Sequence, residues 1–243
     1  MTRAAADIPA DNALLCENCG YNLTGLPPDG NCPECGRPVA DSLPQLRHRA
    51  TWEQTEPLGG RMGRFFLTST AVLFRPSRFY RTLATRLSTP RERLFGRIYF
   101  WIASMLFATA AAFHLDWFLK LTGTRFPLIL SWLILVILTD GFLVGVTSLA
   151  ARLSSWEAAY RGLRLPLNVV RRGMNFHTIH YLPPGLLATT TVLGYQWTLH
   201  KGYFGADSAT VYLYLLCGEI ILSAGYLFWT YWIAMRNMMY ANA

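Results

Sequence analysis

Four long, predominantly apolar stretches set the rhythm of the chain, at about residues 98–118, 126–150, 179–199 and 211–235. At a rise of about 1.5 Å per residue, some 20 helical residues cover the roughly 30 Å hydrocarbon core of a bilayer. A helix on the surface of a soluble protein keeps a polar face, and these stretches do not. The pattern predicts four transmembrane helices. Pro183-Pro184 belongs at the start of the third of them, because proline removes a helix-interior donor.

Shorter amphipathic patterns surround the long ones. Residues 61–74 place Met62, Phe65, Phe66 and Leu73 largely on one helical face. Arg75-Pro76 interrupts, and residues 77–87 then align Phe79, Tyr80, Leu83 and Leu87, with Arg78, Arg81 and Arg86 interleaved. Short basic amphipathic helices of this kind lie in the plane of a membrane surface. Residues 154–170 carry Trp156, Tyr160, Leu163 and Leu167 at helical spacing and predict a similar helix between spans two and three. Thr89-Pro90-Arg91-Glu92 is a capping box with proline at the first helical position, so the first membrane helix is expected to begin near Pro90. Residues 40–60, polar and carrying Pro44, Pro57, Gly59 and Gly60, read as a flexible linker. Residues 1–13 read as a disordered tail with no apolar leader region.

Charge adds an orientation. The net charge is +8, with 22 Lys and Arg against 14 Asp and Glu. Arginines crowd before the first span, from Arg61 to Arg97, and between spans two and three, at Arg152, Arg161, Arg164, Arg171 and Arg172. Arg236 follows the fourth span. The other two loops hold Lys120 with Arg125, and Lys201 offset by Asp207. This alternation predicts both termini in the cytoplasm, with the chain in an inner membrane. Charge beside spans points to the bilayer and its anionic headgroups as partner ahead of nucleic acid.

The cysteines bring in the chemistry. Cys16, Cys19, Cys32 and Cys35 form C-x2-C-x12-C-x2-C. Two thiolates two residues apart grip one side of a tetrahedral ion, and a second pair completes the shell. Gly20 and Gly36 follow the pairs, where the backbone must turn tightly. Two disulfides or a redox pair are the alternatives, and a cytoplasmic location disfavours structural disulfides. Residues 14–39 are therefore read as a small ribbon closed by one structural zinc ion, with metal binding inseparable from folding. Tyr21, Leu23 and Leu26 are expected to pack its core. The fold class expected is mainly α: a zinc ribbon followed, over 61–243, by a transmembrane helical bundle with interfacial helices.

Cys19-Gly20-Tyr21-Asn22-Leu23-Thr24-Gly25-Leu26 with Cys32-Pro33-Glu34-Cys35-Gly36 resembles the CGYxLxGL…CPECG zinc ribbon common in planctomycete-type bacterial proteins. In such proteins the ribbon is a module joined to many partners, so the resemblance implies no activity. From Phe65 onward the order of parts is similar to the Yip-family membrane domain. The matching pieces are Phe74-Arg75-Pro76-Ser77-Arg78-Phe79 and Tyr181-Leu182-Pro183-Pro184. That resemblance implies a non-enzymatic membrane protein that associates with trafficking factors, and five spans where the hydropathy pattern gives four.

Ionisable residues within spans are costly, and each is a functional candidate. His114 and Asp116 lie near the outer end of span one, where a snorkelling interface accounts for them. Asp140 and Glu219 are the deepest carboxyls; Thr139, Thr189 to Thr191 and Gln196 are their candidate partners for inter-helix hydrogen bonds, and a proton or cation path is the alternative. His177 and His180 are three apart, but without the glutamate of H-E-x-x-H they read as structural. Cys217 reads as a small buried hydrophobe. Gly141-x-x-x-Gly145 offers a close-packing face for another helix, of this chain or of a second copy in a homo-oligomer. No Ser-His-Asp order or phosphate-binding glycine loop is present.

The function expected is that of a non-enzymatic binding or scaffold protein whose ribbon meets protein partners. The alternative is a transporter or intramembrane enzyme built on Asp140, Glu219, His177 and His180. A nucleic-acid tether is a third, weaker reading.

Overall fold

The computed structural model describes residues 13–55, 60–121, 123–124, 126–202 and 208–242. The tail before residue 13, part of the predicted linker, and the flanking charges Arg125 and Asp207 lie outside them. Among the described residues the fold is helical, without a sheet. Three short 3-10 turns, Val39–Ser42, Pro44–Leu46 and Thr51–Glu53, precede seven α-helices. These are α1 (Gly60–Phe74), α2 (Pro76–Thr82), α3 (Pro90–Leu121), α4 (Leu128–Tyr160), α5 (Leu167–His177), α6 (Leu182–His200) and α7 (Ser208–Met238).

Three helices, α3, α4 and α7, are long and apolar enough to cross a membrane. Their surfaces explain why lipid suits them. Only 6% of the most apolar window of α7 is buried, and Leu213, Ile220, Ile221, Leu222, Phe228 and Trp229 are exposed on it. A soluble protein does not leave an apolar surface of this extent open to water. The third predicted span is the helix α6, which with 19 residues is shorter and carries Thr189, Thr190, Thr191 and Gln196. Pro183 and Pro184 occupy its first turn, as expected. Cys217 is exposed on α7 rather than buried. Among the described residues no other part of the chain lies within 4 Å of the space that a side chain at Gly141 or Gly145 would take.

The start of α3 follows its sequence signal. Glu92 N donates to the Thr89 hydroxyl at 3.1 Å, and Thr89 N faces the Glu92 carboxylate at 3.5 Å. Elsewhere the boundaries differ. The predicted interfacial helix 154–170 is divided: α4 continues to Tyr160, a turn follows, and α5 begins at Leu167. Helical propensity in Ser154–Tyr160 extends the span, and Gly162, at φ +70°, ends it.

The chain forms two compact units. The first comprises Met1–Gly96, Thr147–His177 and Thr230–Ala243, and the second Arg97–Val146 and Thr178–Trp229. In the first unit, the segment read as linker is folded over 40–55. Trp52 is buried, stacks edge-on against Phe65 at 5.3 Å, and donates from Nε1 to Arg91 O at 2.7 Å. Phe65 also meets Phe95 at 5.2 Å, so it faces the interior while Met62 and Phe66, expected on its side of α1, are exposed. The missed order came from single polar residues whose partners are far away in sequence. Glu53 and Glu92 converge on Arg172, whose guanidinium is 1% exposed. Arg172 donates to Glu53 at 2.8 and 2.5 Å, to Glu92 at 2.5 Å and to Ala84 O at 2.7 Å.

The second unit holds the polar side chains of the spans. Phe100, Ala103, Leu143 and Tyr181 form one core, and Ala110, Val192, Tyr195 and Tyr212 another. Tyr195 and Tyr212 stack at 4.0 Å, with Trp117 edge-on to both.

Candidate metal centre

The two cysteine pairs sit on two copies of one backbone device. In the first, Cys16 N donates to Tyr21 O at 2.8 Å and Gly20 N to Cys16 O at 2.8 Å. In the second, Cys32 N donates to Arg37 O at 2.7 Å and Gly36 N to Cys32 O at 2.9 Å. Isolated antiparallel bridges, Leu15 with Asn22 and Asn31 with Pro38, close the two knuckles. Gly20 and Gly36 have φ of +83° and +71°, a region that disfavours other residues. At Gly20 a side chain would also collide with Tyr240, whose Cε1 lies 2.6 Å from the position of a Cβ.

The four cysteines come together, their sulfurs all within 4.8 Å of one another. Cys16 and Cys35 sulfurs are 3.5 Å apart, and Cys19 and Cys32 sulfurs 3.7 Å. A tetrahedral ion with metal–sulfur bonds of about 2.3 Å needs sulfurs about 3.8 Å apart, so the donor set fits. A disulfide needs about 2.05 Å, which none of these pairs approaches. Desolvation pushes the Cys19 thiol up to about 12, while a backbone hydrogen bond from Arg37 draws Cys35 down to about 6. A bound cation overrides that spread, because it holds all four sulfurs as thiolates. Leu23, fully buried, and Val39 fill the space beneath the sulfurs, with Leu14 and Leu26 against them. Tyr21, expected in that core, is exposed.

The knuckles are fixed to the rest of the first unit by polar contacts. The Asn242 side chain accepts from Leu15 N at 2.9 Å and donates to Leu15 O and Ser42 O, each at 2.7 Å. Arg236 donates to Asn18 O at 2.8 Å. Arg47 pairs with Glu17 through Nε at 2.6 Å and NH2 at 2.9 Å, and reaches Leu83 O at 2.9 Å and Asn237 O at 3.0 Å. The ribbon is therefore docked, where the sequence reading has it on a flexible tether.

The candidates within the spans do not gather into a site. Asp140 pairs with Arg97 at 2.9 Å, a residue that reads from sequence only as a flanking charge. Glu219 accepts a hydrogen bond from Thr191, one of its expected partners. Asp116 pairs with Lys120 at 2.6 Å, and His114 meets the Tyr212 hydroxyl at 2.7 Å. His177 meets the Thr230 hydroxyl at 3.0 Å, and His180 the Tyr226 hydroxyl at 2.7 Å. Among the described residues the four cysteines alone form a group of three or more metal-ligating side chains.

These features define an integral membrane protein with a four-cysteine site able to hold a metal ion. Comparisons with protein-family models, curated proteins and solved structures find no match.

Proposed function

We propose that this protein is an inner-membrane scaffold whose cytoplasmic side is organised by one structural zinc ion on Cys16, Cys19, Cys32 and Cys35. The observation that carries the reading is the thiol cluster itself: four protein donors at tetrahedral spacing leave no coordination position for a substrate or water. A closed site of this kind organises its surroundings and does not catalyse. Its docking on Arg236 and Asn242 links the ribbon to the last turn of α7 and the segment after it. The orientation has its own support. The basic loops, with Arg152, Arg161, Arg164, Arg171, Arg172 and Arg236, belong to the first unit, whereas Lys120 and Lys201 belong to the second. All four apolar stretches cross the membrane in this reading, α6 with them. Tyr21 and Leu46, both exposed, present apolar surface to a protein partner.

Zinc analysis of detergent-purified protein tests the metal: about one zinc per chain, lost in Cys32→Ser. Photo-crosslinkers at Tyr21 and Leu46 in native membranes test the scaffold role. A discrete protein adduct that disappears in Cys32→Ser is expected, and adducts to lipid alone overturn it.

A second reading, as a transporter, rests on one group. The Glu219 Oε2 atom is buried without a hydrogen-bond partner among the described residues. Loss of a proton or cation flux in Glu219→Gln, with folding intact, would favour that reading.

A further inference from the structure

The first unit carries a basic cavity that no carboxylate among the described residues neutralises. A cavity of about 360 Å³ opens between residues 48–54 and helices α1 and α2. His48, Arg49, Gln54, Arg75, Arg78 and Thr82 line it, and among the described residues no Asp or Glu does. Arg47 and Arg172 of the same unit are matched to carboxylates. The side chains of Arg49, Arg75 and Arg78 have no hydrogen-bond or ion-pair partner among the described residues. Guanidinium groups sharing one cavity repel one another, and an anion reverses the sign of that energy. The planar fork of arginine suits the oxygens of a phosphate.

A second observation selects among phosphates. Helix α1, which contributes Ala71 to the cavity, turns Phe65, Thr68, Ser69 and Val72 inward and leaves Met62, Phe66, Leu67 and Phe74 exposed. Phe74, 74% exposed, is next to Arg75. A free phosphate accounts for the cavity but leaves this apolar stripe in water. A phospholipid accounts for both, with its headgroup among the arginines and its chains along the stripe.

We propose that the cavity between α1 and α2 holds the phosphate headgroup of an anionic phospholipid, with α1 lying in the membrane surface. The inference rests on the reading of the first unit as the cytoplasmic side of a membrane protein. It goes further by placing a lipid site on Arg49, Arg75 and Arg78.

The test uses full-length, zinc-loaded protein in detergent, with retained phosphatidylglycerol or phosphatidylcholine counted by native mass spectrometry. Wild type should prefer phosphatidylglycerol, and the Arg75→Gln/Arg78→Gln pair should bind it roughly 30-fold more weakly, two surface arginines at the typical contribution each. Arg93→Gln/Arg152→Gln, which removes two exposed arginines outside the cavity, should bind as wild type. If the double variant lowers the melting temperature, Arg49→Gln alone carries the test, with a smaller loss expected. Equal retention of the two lipids, equal losses in both variant pairs, or full displacement by equimolar inorganic phosphate or a short oligonucleotide overturns the proposal. Zinc content and membrane extraction are read on the same samples. A metal-free or non-membrane protein refutes the underlying reading, whereas a zinc-loaded membrane protein without lipid preference refutes this one alone.

Discussion

Replacing Arg172 with methionine keeps most of the side chain's volume and removes its charge. The guanidinium is 1% exposed and makes three hydrogen bonds to the carboxylates of Glu53 and Glu92, and one to a backbone carbonyl. The substitution leaves two carboxylates facing each other, Glu53 being fully buried and Glu92 nearly so. Removing one partner of a buried ion pair costs about 3–5 kcal/mol. Here the survivors keep some donors. Glu53 retains the Thr89 hydroxyl at 2.5 Å and Ala50 N at 3.0 Å, and Glu92 retains Asn175 at 2.8 Å. The lower end, about 3 kcal/mol, is therefore expected. For a chain of this size that is a fall of about 6–12 °C in melting temperature. Thermal unfolding in detergent, followed by tryptophan fluorescence, reads it directly because Trp52 lies in the same unit. Arg171→Met, an exposed neighbour, should change little. A shift of less than about 2 °C in Arg172→Met, or one equal to that of Arg171→Met, would refute the reasoning.

Asn242→Ala removes three hydrogen bonds, leaving Leu15 and Ser42 groups unsatisfied, and should cost about 2–3 kcal/mol, read as faster proteolysis after α7. Chelating the metal, or lowering pH until the thiolates protonate, should release the ribbon, scored by thiol labelling of Cys16 and Cys32, both buried in the folded protein. Asp140→Asn should cost no more than about 1 kcal/mol, because Arg97 is nearly half exposed and can solvate its charge elsewhere; a collapse in yield of folded protein would contradict this. Gly145→Leu should leave the melting temperature unchanged, since open space surrounds Gly145, while abolishing any dimer seen by cross-linking.

The parts legible in the sequence were those that depend on local repeats. The four-cysteine spacing, the glycines behind each pair, the Thr89–Glu92 box and the long apolar runs are all readable within one or two turns of chain. Single polar residues with remote partners were not. Glu53 meets a residue 119 positions away, and Asn242 one 227 positions away, so neither leaves a periodic trace. For that reason residues 40–55 looked like tether. A lone buried tryptophan beside a glutamate, Trp52-Glu53, was the available signal, since Trp in a true linker has nothing to cover it. The role of Arg97 is hidden for a related reason: a charge at a helix boundary looks like a flank until its partner on another helix, Asp140, is in place.

The contacts between the ribbon and Arg236 and Asn242 also impose an order on biosynthesis. The four cysteines are made first, and the docking partners Arg236, in the last turn of α7, and Asn242, just beyond it, are made last. A nascent chain can load its metal early. It cannot complete these contacts until the end of α7 and the residues beyond it have been made, which in the proposed topology means after the last span has crossed and returned them to the ribbon's side. In that topology the Arg236 and Asn242 contacts report on completed insertion, and a chain whose last span fails to integrate keeps a ribbon held through Glu17 and Arg47 but not through these two, more open to quality-control proteases.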